Sequence, residues 1–175
     1  MIRFDRNKLI DGLNRINPVF KQKLRDIFNN PKIIEMLNNN EFDNIYKEGV
    51  YKDNLYSELV IYINAVLIES GIDILNNLKE IPYEGFLGLP ITEIYIPDNV
   101  IAIDYRAFEG CTDLTYVRLP GKLQFIGVDA FKSTPMLKTV EVDCNYNDFI
   151  LDTNRLYDIF GGDVEVIFKD KEVNT

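Results

Sequence analysis

The spacing of apolar residues changes midway along the chain. Up to about residue 75 they recur every three or four positions, the period of a helix with one buried face. Leu9, Leu13 and Ile16 start this pattern; Val19, Phe20, Leu24, Ile27 and Phe28 continue it after Pro18, where a new helix can begin. Pro31 restarts the chain for Ile33, Ile34 and Leu37, with Asn30 placed to cap the helix. A short helix is expected around Phe42, Ile45 and Tyr46 before Gly49. The longest runs from Asp53 or Asn54 to Ser70 and stops at Gly71, with Leu55, Leu59, Tyr62, Ile63, Val66 and Leu67 on its buried side. These stripes read as the core of a helical subdomain over residues 1–75; the competing reading is a groove for a partner helix.

From residue 76 the pattern shortens to strand-like alternation, and it repeats. Ile81 to Phe86, Ile103 to Phe108 and Ile126 to Phe131 each place Phe five positions after Ile, with a small residue (Gly85, Ala107, Ala130) just before it. Downstream stand Ile94-Tyr95-Ile96, Val117-Arg118-Leu119, Val140-Glu141-Val142 and Val164-Glu165-Val166, at steps of 23, 23 and 24 residues. Two registers recurring together mark an internal repeat. A single unit cannot bury its own apolar side, so Ile, Phe, Leu and Val of successive units must stack into one core.

The pattern Ile-x-x-x-(Ala/Gly)-Phe followed by Leu-x-x-Val-x-Leu-Pro resembles the BspA-type (treponemal-type) leucine-rich repeat family. Ile103 to Pro120 is the fullest copy, with Ala107, Phe108, Cys111, Leu114, Val117, Leu119 and Pro120; Ile126 to Val142 has Thr134 in place of the cysteine and Asp143 in place of the proline. The first copy is one residue short, with a step of eight positions from Phe86 to Ile94 where the later copies step nine. The resemblance covers about residues 78–143, with a modified last unit to about 168; residues 145–162 depart from it, and Ile150, Leu156 and Ile159 read as helical. It implies an α+β fold: an N-terminal helical cap on a short solenoid of about four repeats with a parallel β-ladder, the repeats and an irregular closing unit filling residues 76–175. Because the ends of such a ladder expose backbone and apolar surface, the helices are expected to cover one end and residues 145–162 the other.

Alternation then divides the strand residues between two faces. With Ile94, Ile96, Val117, Leu119, Val140, Val142, Val164 and Val166 inward, two outward rows are expected. One holds Tyr95, Arg118, Glu141 and Glu165, the other Glu93, Tyr116, Thr139 and Asp163. Tyrosine and arginine are enriched where binding energy concentrates, so these eight positions form the candidate partner-binding face. The plainer reading is a solvated sheet surface, with Tyr95 against Tyr116 and Arg118 paired to Glu141 or Glu93.

Composition narrows the chemistry. The 175 residues contain no histidine, which excludes a histidine-based nucleophile system and the common imidazole-ligated zinc sites within this chain. The net charge is −9, and it is unevenly placed: 10 basic and 11 acidic residues lie in 1–75, 9 and 17 in 76–175. Direct binding to a phosphate backbone, which needs surplus Lys and Arg, is not expected. Asp143 to Asp148 resembles the opening of a calcium loop but has Asp148 where glycine and Asn154 where glutamate would be needed, so it reads as a turn, and Gly161-Gly162 likewise. No cofactor or metal site is expected. Met1 to Arg6 lacks an export signal, no apolar run spans a bilayer, and Cys111 and Cys144 have no close partner, with Cys111 at a core position; a cytoplasmic protein is expected. That departs from the adhesin role common in the family.

These features point to a non-enzymatic protein-interaction module, with a protein partner that offers a basic surface. The Asn-, Ile-, Lys- and Tyr-rich composition suits an AT-rich genome, so one form of this reading is a phage-encoded inhibitor of a host or defence protein, its acidic half imitating nucleic-acid charge. The alternatives are a homo-oligomeric component of a particle and a small-ligand-binding protein with a pocket between helices and repeats.

Overall fold

A computed structural model describes residues 1–16, 18, 22, 25, 26, 29–39, 56–71, 73–161 and 163–173. Strand β1 (Ile2–Phe4) precedes helix α1 (Arg6–Asn14), whose first turn is capped by the Asp5 carboxylate accepting from the Lys8 amide at 3.1 Å. Residues 18, 22, 25 and 26 are helical; Val19, Phe20, Leu24, Ile27 and Phe28 lie outside the described residues, as does the expected helix around Phe42. Helix α2 is Pro31–Asn38, with the Asn30 carbonyl oxygen of the side chain accepting from the Lys32 amide. Among its described side chains Met36 is buried, whereas Ile34, expected in the core, is exposed; the side chains of Ile33 and Leu37 lie outside the described residues.

Helix α3 (Tyr56–Glu69) ends before Gly71, which takes the left-handed conformation at φ +79°. Ile63 and Leu67 are buried as the pattern predicts, but so are Asn64, Ala65 and Ile68, while Val66 is only half-buried; Leu55 and the side chains of Leu59 and Tyr62 lie outside the described residues. The stripe is wider because α3 lies between α1 and the first repeat. Asn64 makes that second contact specific: its buried side-chain amide donates to the Gly85 carbonyl at 2.6 Å. A 3₁₀ turn (Ile74–Asn77) then leads into the strands.

The strands form two sheets among the described residues. The larger has the order β1-β3-β5-β7-β8-β9, in which β3 (Ile91–Tyr95), β5 (Tyr116–Leu119), β7 (Thr139–Val142) and β8 (Glu165–Phe168) run parallel. The smaller, also parallel, joins β2 (Glu80–Ile81), β4 (Ala102–Ile103) and β6 (Phe125–Ile126), with Ile81, Ile103 and Ile126 in register. The architecture is thus α+β, with parallel strands recurring at the repeat step.

Between the sheets the expected columns stack. Phe86, Phe108 and Phe131 lie at 5.1 Å centroid spacing with nearly parallel rings, and Phe160 continues the column at 4.8 Å. Phe160 ends helix α4 (Thr153–Phe160), which thereby rests on Phe131. At the outer edges of the larger sheet, β1 pairs antiparallel with β3, and β9 (Lys171–Val173) antiparallel with β8.

Each turn before a phenylalanine demands an uncommon backbone. Glu84, Arg106 and Asp129, the fourth residue of each Ile-to-Phe segment, adopt φ of +51°, +56° and +61°. Four residues on, Gly88, Gly110 and Ser133 are also left-handed. The turns then bond to the next repeat through Phe86 N to Ala107 O at 2.8 Å and Phe108 N to Ala130 O at 2.7 Å. Neighbouring turns approach so closely that a Cβ on Gly127 would lie 2.4 Å from the Tyr105 nitrogen. Among the described residues, no helix is long and apolar enough to cross a membrane.

Candidate functional site

The outward face of the larger sheet carries seven of the eight candidate residues. Ile94, Ile96, Val117, Leu119, Val140, Val142, Val164 and Val166 all point into the core, as alternation requires, so Glu93, Tyr95, Tyr116, Arg118, Thr139, Glu141 and Glu165 are left half-buried on the other side. Register across the first three strands is the expected one: Glu93 opposite Tyr116 and Thr139, Tyr95 opposite Arg118 and Glu141.

The last strand is displaced by two residues. Val166, not Val164, stands opposite Val140, so Glu165 joins the row of Glu93, Tyr116 and Thr139 and Ile167 takes the place expected for Glu165. Asp163 lies exposed, before the strand begins. The closing unit contains α4 and is therefore longer than a repeat, and a slip of two keeps every side chain on its face. With Val164, Val166 and Phe168 all buried, sequence alternation fits either pairing. Phe168, opposite Val142, was the one available hint: an aromatic residue one alternation step beyond the expected strand.

On this face the side chains form two clusters. In the first, Tyr95 and Tyr116 pack with centroids 5.1 Å apart and planes tilted by 42°. The Tyr95 hydroxyl donates to Glu93 Oε2 at 2.8 Å and the Tyr116 hydroxyl to Glu141 Oε2 at 2.6 Å. Arg3 of β1, absent from the expected site, reaches in: its guanidinium lies 3.0 Å from Glu93 Oε2 and 5.7 Å from the centre of the Tyr95 ring. Both phenols are pushed up in pKa. For Tyr95 the hydrogen bond to Glu93 leads; for Tyr116 burial leads, followed by the bond to Glu141. Each bond needs the neutral phenol as donor, so the two rings stay uncharged.

The second cluster is built on Asp143. Arg118 pairs with it, rather than with Glu141 or Glu93 as the plainer reading of the face has it, and Lys169 Nζ lies 2.7 Å from its other oxygen. Bonds from Lys169 and Arg118 hold the Asp143 carboxyl below the usual aspartate range against the opposing effect of burial. Lys169 belongs to the closing unit and sits beyond any repeat register, which hid it from the sequence pattern.

A separate cleft of about 570 Å³ opens between α1, α3 and the turns at 87–90 and 112–113. Leu9, Leu13, Ile61 and Leu89 line it, and Lys8 Nζ meets Asp113 Oδ2 at 2.7 Å beside them. Cys111 is fully buried, and desolvation pushes its thiol up to about 12, so it stays protonated and inert as a nucleophile. Among the described residues, no three His, Cys, Asp or Glu side chains are grouped to hold a metal.

Comparison with known proteins bears on this geometry in one respect. The family model described as BspA type Leucine rich repeat region matches residues 67–153 in six copies, from within α3 to the start of α4. No curated protein and no solved structure matches the chain. The stack of Phe86, Phe108 and Phe131, the left-handed turns before them and the parallel strands β2 to β7 fall within the matched span, and over residues 67–153 the chain belongs to the BspA-type leucine-rich repeat family.

Proposed function

We propose that the protein is a non-enzymatic interaction module that grips a protein partner with the outward face of its larger sheet. The observation that carries this reading is the half-exposed pair Tyr95 and Tyr116, held in place by Glu93 and Glu141 and flanked by Arg118. Pre-positioned aromatic and arginine side chains lose little entropy on binding, which is why they dominate interface energetics. Repeats of this kind commonly mediate protein–protein binding, which adds support from the family. In this reading residues 1–75 serve as the cap and residues 76–175 as a short solenoid that presents the face. An inhibitor that occludes a basic site on its target is one form of this function, consistent with the surplus of acid in the second half.

The test is quantitative affinity capture from the native host with the full chain and with Tyr95→Ala, Tyr116→Ala and Arg118→Glu combined. A partner that binds the wild-type chain should be lost from the folded triple variant. Equal recovery of the same partners would place the interface elsewhere. The cleft beside α1 favours a second reading, binding of a small apolar ligand; native mass spectrometry of the purified chain finding no retained molecule would count against it.

A further inference from the structure

Charge on the sheet face is unevenly satisfied. Glu93 has Arg3, and Asp143 has Arg118 and Lys169. Glu141 is bonded only to the neutral Tyr116 hydroxyl, and neither it nor Glu165 has a cation among the described residues. Glu165 stands opposite Thr139, two positions before Glu141 on the neighbouring strand, so the two carboxylates are diagonal neighbours on one face. A tyrosine whose hydroxyl is turned onto a glutamate therefore occurs twice here. The first such pair, Tyr95 with Glu93, holds a guanidinium; the second, Tyr116 with Glu141, does not.

The geometry points to the corner formed by Tyr116, Glu141 and Glu165 as the seat of an arginine side chain from a basic partner protein, with Arg3 on Tyr95 and Glu93 as the chain's own example of a guanidinium set against a tyrosine–glutamate pair, there on one strand and here across two neighbouring strands. This rests on the sheet-face reading above and specifies the partner's chemistry. A planar guanidinium suits the corner better than an ammonium, since it can stack on the ring and bond to a carboxylate at once. Arg118 does not fill the seat, although it stands opposite Glu141, because its guanidinium is turned to Asp143. The partner is attracted by a chain of net charge −9, so its arrival should be fast and weakened by salt.

The full chain would be titrated with two end-capped alanine pentapeptides, one bearing two arginines and one bearing two glutamates, and followed by NMR. The arginine peptide should shift Tyr116, Glu141 and Glu165, and bind roughly tenfold more weakly when Glu141→Gln and Glu165→Gln are combined in a variant that melts like the wild type. Arg3→Ala should open a second seat at Tyr95 and Glu93 and raise affinity. Equal binding to the double variant overturns the proposal. Shifts at Arg118 and Lys169 from the glutamate peptide, with the arginine peptide silent, overturn it while leaving the sheet-face reading intact. If neither peptide perturbs a strand residue, both fall.

Discussion

The regular repeats and the closing unit solve the same packing problem by different means. From β3 to β7, a fixed step of 23 residues keeps Ile94, Val117 and Val140 in register, and glycine or alanine before each Phe lets the turns nest. The closing unit replaces the nested turn with α4 and puts Phe160 where a repeat would place its own aromatic residue. Its strand is then free to pair two residues further along. Repetition fixes spacing tightly in the middle of the array, whereas at its end only burial and face need be conserved.

The sharpest way to break that comparison is to truncate one ring in each region. Phe108→Ala removes a fully buried ring stacked on both sides and is expected to cost about 4 kcal/mol. Phe160→Ala, at the end of the column with stacking on one side, should cost clearly less in the same urea titration. Equal losses would show that the closing unit is as tightly integrated as the repeats. Gly127→Ala tests nesting alone, since the added methyl meets backbone rather than a movable side chain; about 2–3 kcal/mol is expected from overpacking.

Asp143 joins the two regions, through Arg118 on one side and Lys169 on the other. Its folded pKa is depressed, so its contribution is fully present above the ordinary aspartate value of about 3.9 and is lost as pH falls through the depressed folded value. Thermal melts should show Asp143→Asn to be less stable than the wild type at neutral pH, with the gap closing only in strong acid. The smallest effect is expected at Ser133, which holds φ +58° where Gly88 and Gly110 stand in the earlier repeats. Ser133→Gly should stabilise the chain by about 0.5–1 kcal/mol, because glycine adopts that conformation without a Cβ clash.

Much of this fold is legible in the sequence where one residue type recurs for one physical reason. Ile, Phe, Leu and Val recur because each must meet its counterpart in the next unit, and their columns are found as expected. The left-handed turn is hidden for the opposite reason: Glu84, Arg106 and Asp129 share a backbone angle, yet they mix acid with base and none is the glycine that marks such an angle. Strand β1 is three residues long, too short to show alternation, so the arrival of Arg3 on the candidate face has no sequence signal. The displaced β8 escaped because a two-residue slip leaves the pattern unchanged. The plainer reading of the face pairs Arg118 with Glu141 or Glu93 because register identifies the residue opposite, while a long side chain can reach along the strand to Asp143.

The two outermost strands also set how such a chain can change in length. β1 and β9 run against the parallel strands they flank, and each occupies the backbone donors and acceptors on which another repeat would have to dock. A unit appended at either terminus would first have to displace a strand already in place. Lengthening by duplication is therefore an interior event: a whole 23-residue unit copied between β3 and β7 keeps both outermost strands and adds one position to each of the two outward rows.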